Sequence, residues 1–156
     1  MEELKKSFLE HIAEATKSVL SMMAGLDVKK DDVFISNEDK VRGDITGVIG
    51  LSNDKVKGSI AISFPEEVGK TIVANMLSIS PDEITEEDLK DGIGEITNMV
   101  AGDFNNRIGN IFKLSLPSVI TGKGHLVSLF NNSAPVLFKF LLEDKPFYLL
   151  STFEEK

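Results

Sequence analysis

Leu4, Phe8, Ile12, Ala15, Val19 and Met22 recur at the spacing of one helix face, with charged residues between them. The pattern predicts an amphipathic helix over about 2–24, stopped by Gly25. Charged residues 27–32 read as the loop that leaves it, and Val33-Phe34-Ile35 as a short strand. The period then changes from helical to alternating. Ile45, Gly47, Ile49 and Leu51 alternate with Thr46, Val48, Gly50 and Ser52, and Val56, Gly58, Ile60, Ile62 and Phe64 with Lys57, Ser59, Ala61 and Ser63. With Asn53-Asp54 between them, the two runs predict a β-hairpin with one buried face. Pro65-Glu66-Glu67 opens a second helix to about Leu77, with Pro at the first position and acids at the positive end of the dipole. Ser80-Pro81-Asp82-Glu83 is a capping box, and Thr85-Glu86-Glu87-Asp88 a second start signal. A long helix follows to about Ile111. The last third reads as strands over about 114–122, 125–130, 135–142 and 147–153, punctuated by Pro135 and by Glu143-Asp144-Lys145-Pro146.

The long helix carries two stripes. Leu89, Ile93, Ile96, Val100, Phe104, Ile108 and Ile111 form the apolar one; Asp91, Glu95, Asn98, Gly102 and Asn105 lie nearly opposite. A solvated face is the ordinary reading of the second stripe. Its composition fits that reading poorly. Gly92, Gly94 and Gly102 each cost about 1 kcal/mol against Ala in a helix interior, and Asn98, Asn105 and Asn106 are poor helix formers. Small residues let another backbone approach closely. Glu95 and Asn98, three apart, project together as a carboxylate beside an amide. The residues alone leave both readings open. Residues 11–19 also echo residues 92–100, with Ile, Glu, Thr and Val in matching places, which raises the possibility of an internal duplication.

Composition narrows the chemistry. The chain has 156 residues without a division into two by any linker, so a single domain over 1–156 is expected. It has no cysteine, which removes disulfides, thiolate metal sites and cysteine nucleophiles. A net charge of −8 argues against nucleic acid and against anionic membranes as partners. No apolar run reaches the roughly 20 residues of a membrane span, and the first residues do not form a signal peptide, so a soluble, cytoplasmic protein is expected. Gly69-Lys70-Thr71 has Phe64 where a P-loop needs its first glycine, and Gly92-Ile93-Gly94 lacks the third glycine of a dinucleotide fingerprint. His11 and His125 stand alone and give no zinc signal. Asn131-Asn132-Ser133 matches a glycosylation sequon but reads as a turn. The cluster Asp82, Glu83, Glu86, Glu87, Asp88 complements a helix dipole.

The segment Asp91-Gly92-Ile93-Gly94-Glu95-Ile96-Thr97-Asn98-Met99-Val100-Ala101-Gly102 resembles the signature helix of the CheC/CheX/FliY chemotaxis phosphatases. In that signature an Asp or Ser is followed after three residues by Glu, after two more by Asn, and later by a Pro. Asp91, Glu95 and Asn98 match in type and spacing. Leu116-Pro117-Ser118-Val119-Ile120 is similar to the later Pro segment, although Pro117 stands a few residues closer to the Asn than is usual. Lys57-Gly58-Ser59-Ile60-Ala61-Ile62-Ser63-Phe64 resembles the strand before the family's middle helix. The likeness spans roughly residues 4–153 and is nearest to CheX, because the N-terminal echo has Glu14 but Lys17 where a second site needs Asn.

The resemblance implies an α/β (α+β) fold: a mainly antiparallel sheet packed with three helices. It implies removal of the phosphoryl group from a phosphorylated CheY-type receiver domain, in chemotaxis or a related two-component pathway. The receiver supplies the phosphoaspartate and Mg²⁺, so no cofactor or metal of the chain's own is expected. Asn98 would aim the attacking water and Glu95 would pair with the receiver's lysine. Asp91, Met99, Gly102 and Asn105 would be contact positions. The alternative is a receiver-binding module of the same fold without turnover. A homodimer is expected too: the resemblance implies pairing through the sheet edge, as in CheX-type proteins, and the C-terminal strands are apolar on both faces (Phe138, Phe140 and Leu142 against Leu137 and Leu141), which suggests an edge in need of a cover.

Overall fold

The computed structural model describes residues 2–35, 40–129 and 134–156. In chain order these form α1 (Glu2–Ala24), β1 (Val28–Ile35), β2 (Lys40–Ser52), β3 (Val56–Phe64), α2 (Glu66–Leu77), a 3₁₀ turn (Pro81–Glu83), α3 (Glu86–Arg107), β4 (Lys113–Leu114), β5 (Ser118–Ser128), β6 (Val136–Leu142) and β7 (Lys145–Glu155). The expected fold class stands: three helices and an antiparallel sheet. The seven strands among the described residues follow the order β1-β6-β7-β3-β2-β4, and β5 pairs with β2 on the same edge as β4. The Asn131-Asn132-Ser133 turn lies outside the described residues.

Alternation decides which side of the sheet each residue serves. Ile45, Ile49 and Leu51 of β2, Ile60, Ile62 and Phe64 of β3, and Phe147, Leu149 and Phe153 of β7 join the main core with the helices. Phe8, Ile12, Ala15, Val19 and Leu20 come from α1, Val68, Ile72 and Val73 from α2, and Leu89, Ile93, Ile96, Val100 and Phe104 from α3. Phenylalanines fill its two ends. Phe8 stands edge-on to Phe104 at 5.5 Å between ring centres, and Phe147 stacks between Phe64 at 5.0 Å and Phe140 at 5.3 Å. The opposite face of the sheet carries a smaller cluster of Val41, Ala61, Val127, Leu137 and Leu150. All three helices therefore lie on one side.

Several expectations need correction. The polar stretch 27–32 is not a loop, because β1 already starts at Val28 and pairs with β6. Lys29, Lys30, Asp31 and Asp32 are the charged residues of an edge strand, where charge hinders pairing with a second chain. Residues 118–128 form one bent strand rather than two. Its Gly122-Lys123-Gly124 bulge is held by Asp44, which accepts from Gly124 N at 2.8 Å, and by His125, whose Nδ1 is 2.6 Å from Gly122 O. The other ring nitrogen of His125 meets Thr46 Oγ1 at 2.7 Å, so this histidine serves the fold. Pro65 is the N-cap of α2 rather than its first residue. Helix α3 ends at Arg107, not near Ile111. Finally, β6 lies between β1 and β7, and its second apolar face sets Leu137 beside Leu150 in the smaller cluster. The two apolar faces of β6 therefore mark no uncovered edge; the homodimer that the family likeness implies does not depend on them.

Candidate functional site

The site candidate is the outer face of α3. The helix starts on a reciprocal cap: Thr85 Oγ1 accepts from Asp88 N at 3.0 Å, and Asp88 Oδ2 accepts from Thr85 N at 3.1 Å. Three acids in the first turn complement the dipole. Two glycines then bring the helix close to its neighbours. A Cβ on Gly92 would lie 2.6 Å from Val73 Cγ2, so this glycine admits α2. A Cβ on Gly47 of β2 would lie 2.9 Å from Thr97 Cβ, so α3 sits directly on the β2 backbone there. Thr97 Oγ1 donates to Ile93 O at 2.8 Å and is fully buried. Sequence reasoning passed over Gly47 and Thr97 as positioning residues. An isolated Gly inside an alternating strand is the signal for such a close approach.

With its apolar stripe so seated, α3 turns Asp91, Glu95 and Asn98 outward. All three are exposed, and none has a hydrogen bond or ion pair with another described residue. At about 100° per residue, Asp91, Glu95, Asn98 and Gly102 fall within about 60° of arc. They form one narrow polar face. Gly102 differs from Gly92: a Cβ there would meet nothing within 4 Å. No contact with another described residue requires a glycine at that position.

The structure does not bring the whole expected set together. Met99 stands about 100° round the helix from Asn98 and packs half-buried against the main core, at the margin of the face. Asn105 is a correction. It is buried at 7 % exposure, donating from Nδ2 to Phe112 O at 2.9 Å and accepting at Oδ1 from Phe112 N at 3.0 Å. Its amide fastens the chain that folds back after α3, so it is no contact position.

The echo in α1 gives a useful contrast. Thr16 Oγ1 donates to Ile12 O at 2.9 Å, the same bond that Thr97 makes to Ile93. Glu14 occupies the place of Glu95, but Lys17, in the place of Asn98, lies 3.8 Å from it as an ion pair. Among the described residues the carboxylate has a partner in α1 and none in α3. Among the described residues no three His, Asp or Glu side chains gather as metal ligands. No described helix is long and apolar enough to cross a membrane.

Known proteins place these features in a family. No curated protein sequence matches the chain. The chemotaxis protein CheX from Desulfovibrio desulfuricans is similar at 29 % identity and a TM-score of 0.86, over 94 % of this chain and 99 % of that one. The CheX of Vibrio vulnificus is similar at 30 % identity and a TM-score of 0.87, over 94 % and 99 %. The fold is shared, at 20 % identity and a TM-score of 0.75, with a CheX–CheY–BeF₃–Mg²⁺ complex from Borrelia burgdorferi, over 96 % of this chain and 97 % of that one. The family model described as chemotaxis phosphatase CheX matches residues 45–141, which include β2 from Ile45 on and the whole of α3. The chain belongs to the CheX family.

Proposed function

We propose that this chain hydrolyses the phosphoaspartate of a CheY-type receiver domain, with Asn98 and Glu95 as the working pair. The observation that carries this reading is that both side chains are exposed on one face of α3 and neither has a partner among the described residues. The receiver brings the phosphoaspartate and its Mg²⁺; the solved CheX–CheY–BeF₃–Mg²⁺ complex of the Borrelia relative supports that division of labour. Phosphoryl transfer then needs chiefly a positioned nucleophile and matched charge.

An amide suits the first task. It accepts from one group and donates to another, and it does not titrate. Asn98 holds a water in line with the scissile P–O bond. The water oxygen bonds to phosphorus, the bond to the aspartyl oxygen breaks, and inorganic phosphate leaves the carboxylate free. Glu95 pairs with a receiver lysine beside the phosphoaspartate and fixes the register of the two proteins. Asp91 and Gly102 frame the face, and Gly102 leaves room for the approaching backbone.

The test is phosphate release from a phosphorylated CheY-type receiver in Mg²⁺. Wild type accelerates it, and Asn98→Ala loses about a hundredfold or more, the size of effect seen when one positioned polar group is removed from a reacting centre. A wild-type rate in Asn98→Ala sinks the assignment. Receiver binding by wild type without any phosphate release makes the chain a binding module instead.

A further inference from the structure

Leu116 is 88 % exposed, more than any other large apolar side chain among the described residues. A single exposed leucine is ordinary on any protein surface. This one differs in how it is held and in what stands beside it. Leu116 lies between β4 and β5, where the chain running along the β2 edge gains one residue: Leu114 pairs with Leu51, and Ser118 already pairs with Val48. Ser115 pins the step. Its N–H donates to Gly50 O at 2.9 Å, its Oγ accepts from Gly50 N at 2.9 Å, and the same Oγ donates to Leu116 O at 3.0 Å. Pro117 fixes φ on the other side and offers no N–H for continued pairing. The leucine is thus presented on a braced backbone.

Its direction and level follow from the register. Leu114 lies opposite Leu51, Ser115 bonds to Gly50 and Ser118 lies opposite Val48, so Leu116 and Pro117 together stand opposite Ile49, whose side chain belongs to the main core on the side of the sheet that carries α3. Helix α3 runs the same way as β2: Leu89 and Ile45 both lie beside Gly69, and Thr97 stands on Gly47. Strand β5 is antiparallel to β2, and Val119 Cγ2 lies 3.4 Å from where a Cβ on Gly94 would stand. From Val119 back to Pro117 is about 6.5 Å of strand; from Gly94 on to Asn98 is about 6 Å of helix, in the same direction. Pro117 is therefore level with Asn98, on the flank of α3 that Asn98 borders. Leu116 stands next to it, toward Gly102.

We infer that Leu116 is an apolar anchor for the receiver, packing into a recess of the receiver surface beside the phosphoaspartate while Asn98 and Glu95 engage the phosphorylation site. This rests on the reading of α3 as the receiver-binding face, with which Leu116 is continuous. A braced, solvent-exposed leucine beside a polar reactive face supplies what the carboxylate and amide do not: apolar area that is buried only in the complex. Its ordering cost is small because its backbone is already fixed.

The experiment measures binding to a receiver activated with BeF₃ and Mg²⁺, together with phosphate-release kinetics, for wild type, Leu116→Ala and Leu116→Asp. Leu116 touches little, so both variants keep the wild-type Tm. Leu116→Ala weakens binding and raises KM about tenfold, and Leu116→Asp more, with kcat unchanged at saturating receiver. Unchanged affinity in Leu116→Asp, with Asn98→Ala inactive, overturns the anchor and leaves the phosphatase reading intact. A change only in sedimentation, with receiver affinity as wild type, overturns it in favour of a contact between two copies of the chain. Wild type that binds no activated receiver overturns both readings.

Discussion

Asn105 grips the backbone of Phe112, seven positions further on, by both ends of its buried amide, at 2.9 Å and 3.0 Å. That clasp fixes the return after α3 and delivers Phe112 to the aromatic cluster, 5.6 Å from Phe8 and 5.9 Å from Phe153 between ring centres. Asn105→Ala leaves a buried donor and a buried acceptor unpaired and costs about 2 kcal/mol of stability in a denaturant titration. Asn105→Asp is no better, since a carboxylate cannot donate to Phe112 O. Phosphate release per folded molecule stays as wild type in Asn105→Ala. A variant with unchanged stability but lost turnover would return Asn105 to the contact face.

What was legible in the sequence divides along a physical line. Burial imposes a period, and from apolar spacing alone emerge the stripe of α1, the β2–β3 hairpin and the seat of α3. Where charge or irregular backbone decides, that spacing is no guide. Val28 and Val33 are too sparse an apolar signal to reveal an edge strand among Lys29, Lys30, Asp31 and Asp32. Ile108 and Ile111 continue the helical period beyond Arg107, although Gly109 and Asn110, both at positive φ, stop the helix. The wheel placed Asp91, Glu95 and Asn98 correctly on an exposed face because their neighbours in α3 alone determine it. It misplaced Asn105 because burial there comes from a segment that returns after the helix has ended.

Gly102 separates stability from function. Its Cβ position is open, and its backbone is helical, so Gly102→Ala raises stability by up to about 1 kcal/mol. The same methyl group stands between Asn98 and an approaching receiver. Phosphate release falls, with KM raised, in a protein that melts at a higher temperature. Gly92→Ala is the control: its Cβ would press on Val73 Cγ2 at 2.6 Å, so it lowers stability. If Gly102→Ala is stabilised and fully active, the glycine has no part in docking.

Asp44 gives the fold an acid limit. Its carboxylate accepts from Glu66 N at 2.7 Å and from Gly124 N at 2.8 Å, and these bonds hold its pKa below the ordinary value against the opposing effect of burial. The unfolded chain, with Asp near about 3.9, binds this proton more readily than the folded one. The contribution is therefore complete above that value and is lost as pH falls through the lower folded pKa. Asp44→Asn keeps one acceptor oxygen and lowers Tm at pH 7 by a few degrees, an effect on the order of 1 kcal/mol. The gap between wild type and variant closes as pH drops from about 5 toward 2. Parallel melting curves across that range would place the acid sensitivity elsewhere.

Glu95 and Asn98 should fail differently. Glu95 works by charge, so Glu95→Gln, which keeps the shape, weakens binding to an activated receiver about five- to tenfold and flattens its dependence on salt. Most of the loss appears as a slower on-rate and a higher KM, because the pair with the receiver lysine forms before the chemistry. Asn98 works by geometry at the reacting water, so Asn98→Ala lowers kcat while the salt dependence of binding stays as wild type. Glu14→Gln on α1 is the matched control. It breaks the 3.8 Å pair with Lys17, an exposed contact of little energetic weight, and changes neither quantity. Should Glu95→Gln instead lower kcat with binding and salt slope intact, the carboxylate belongs to the chemical step rather than to docking.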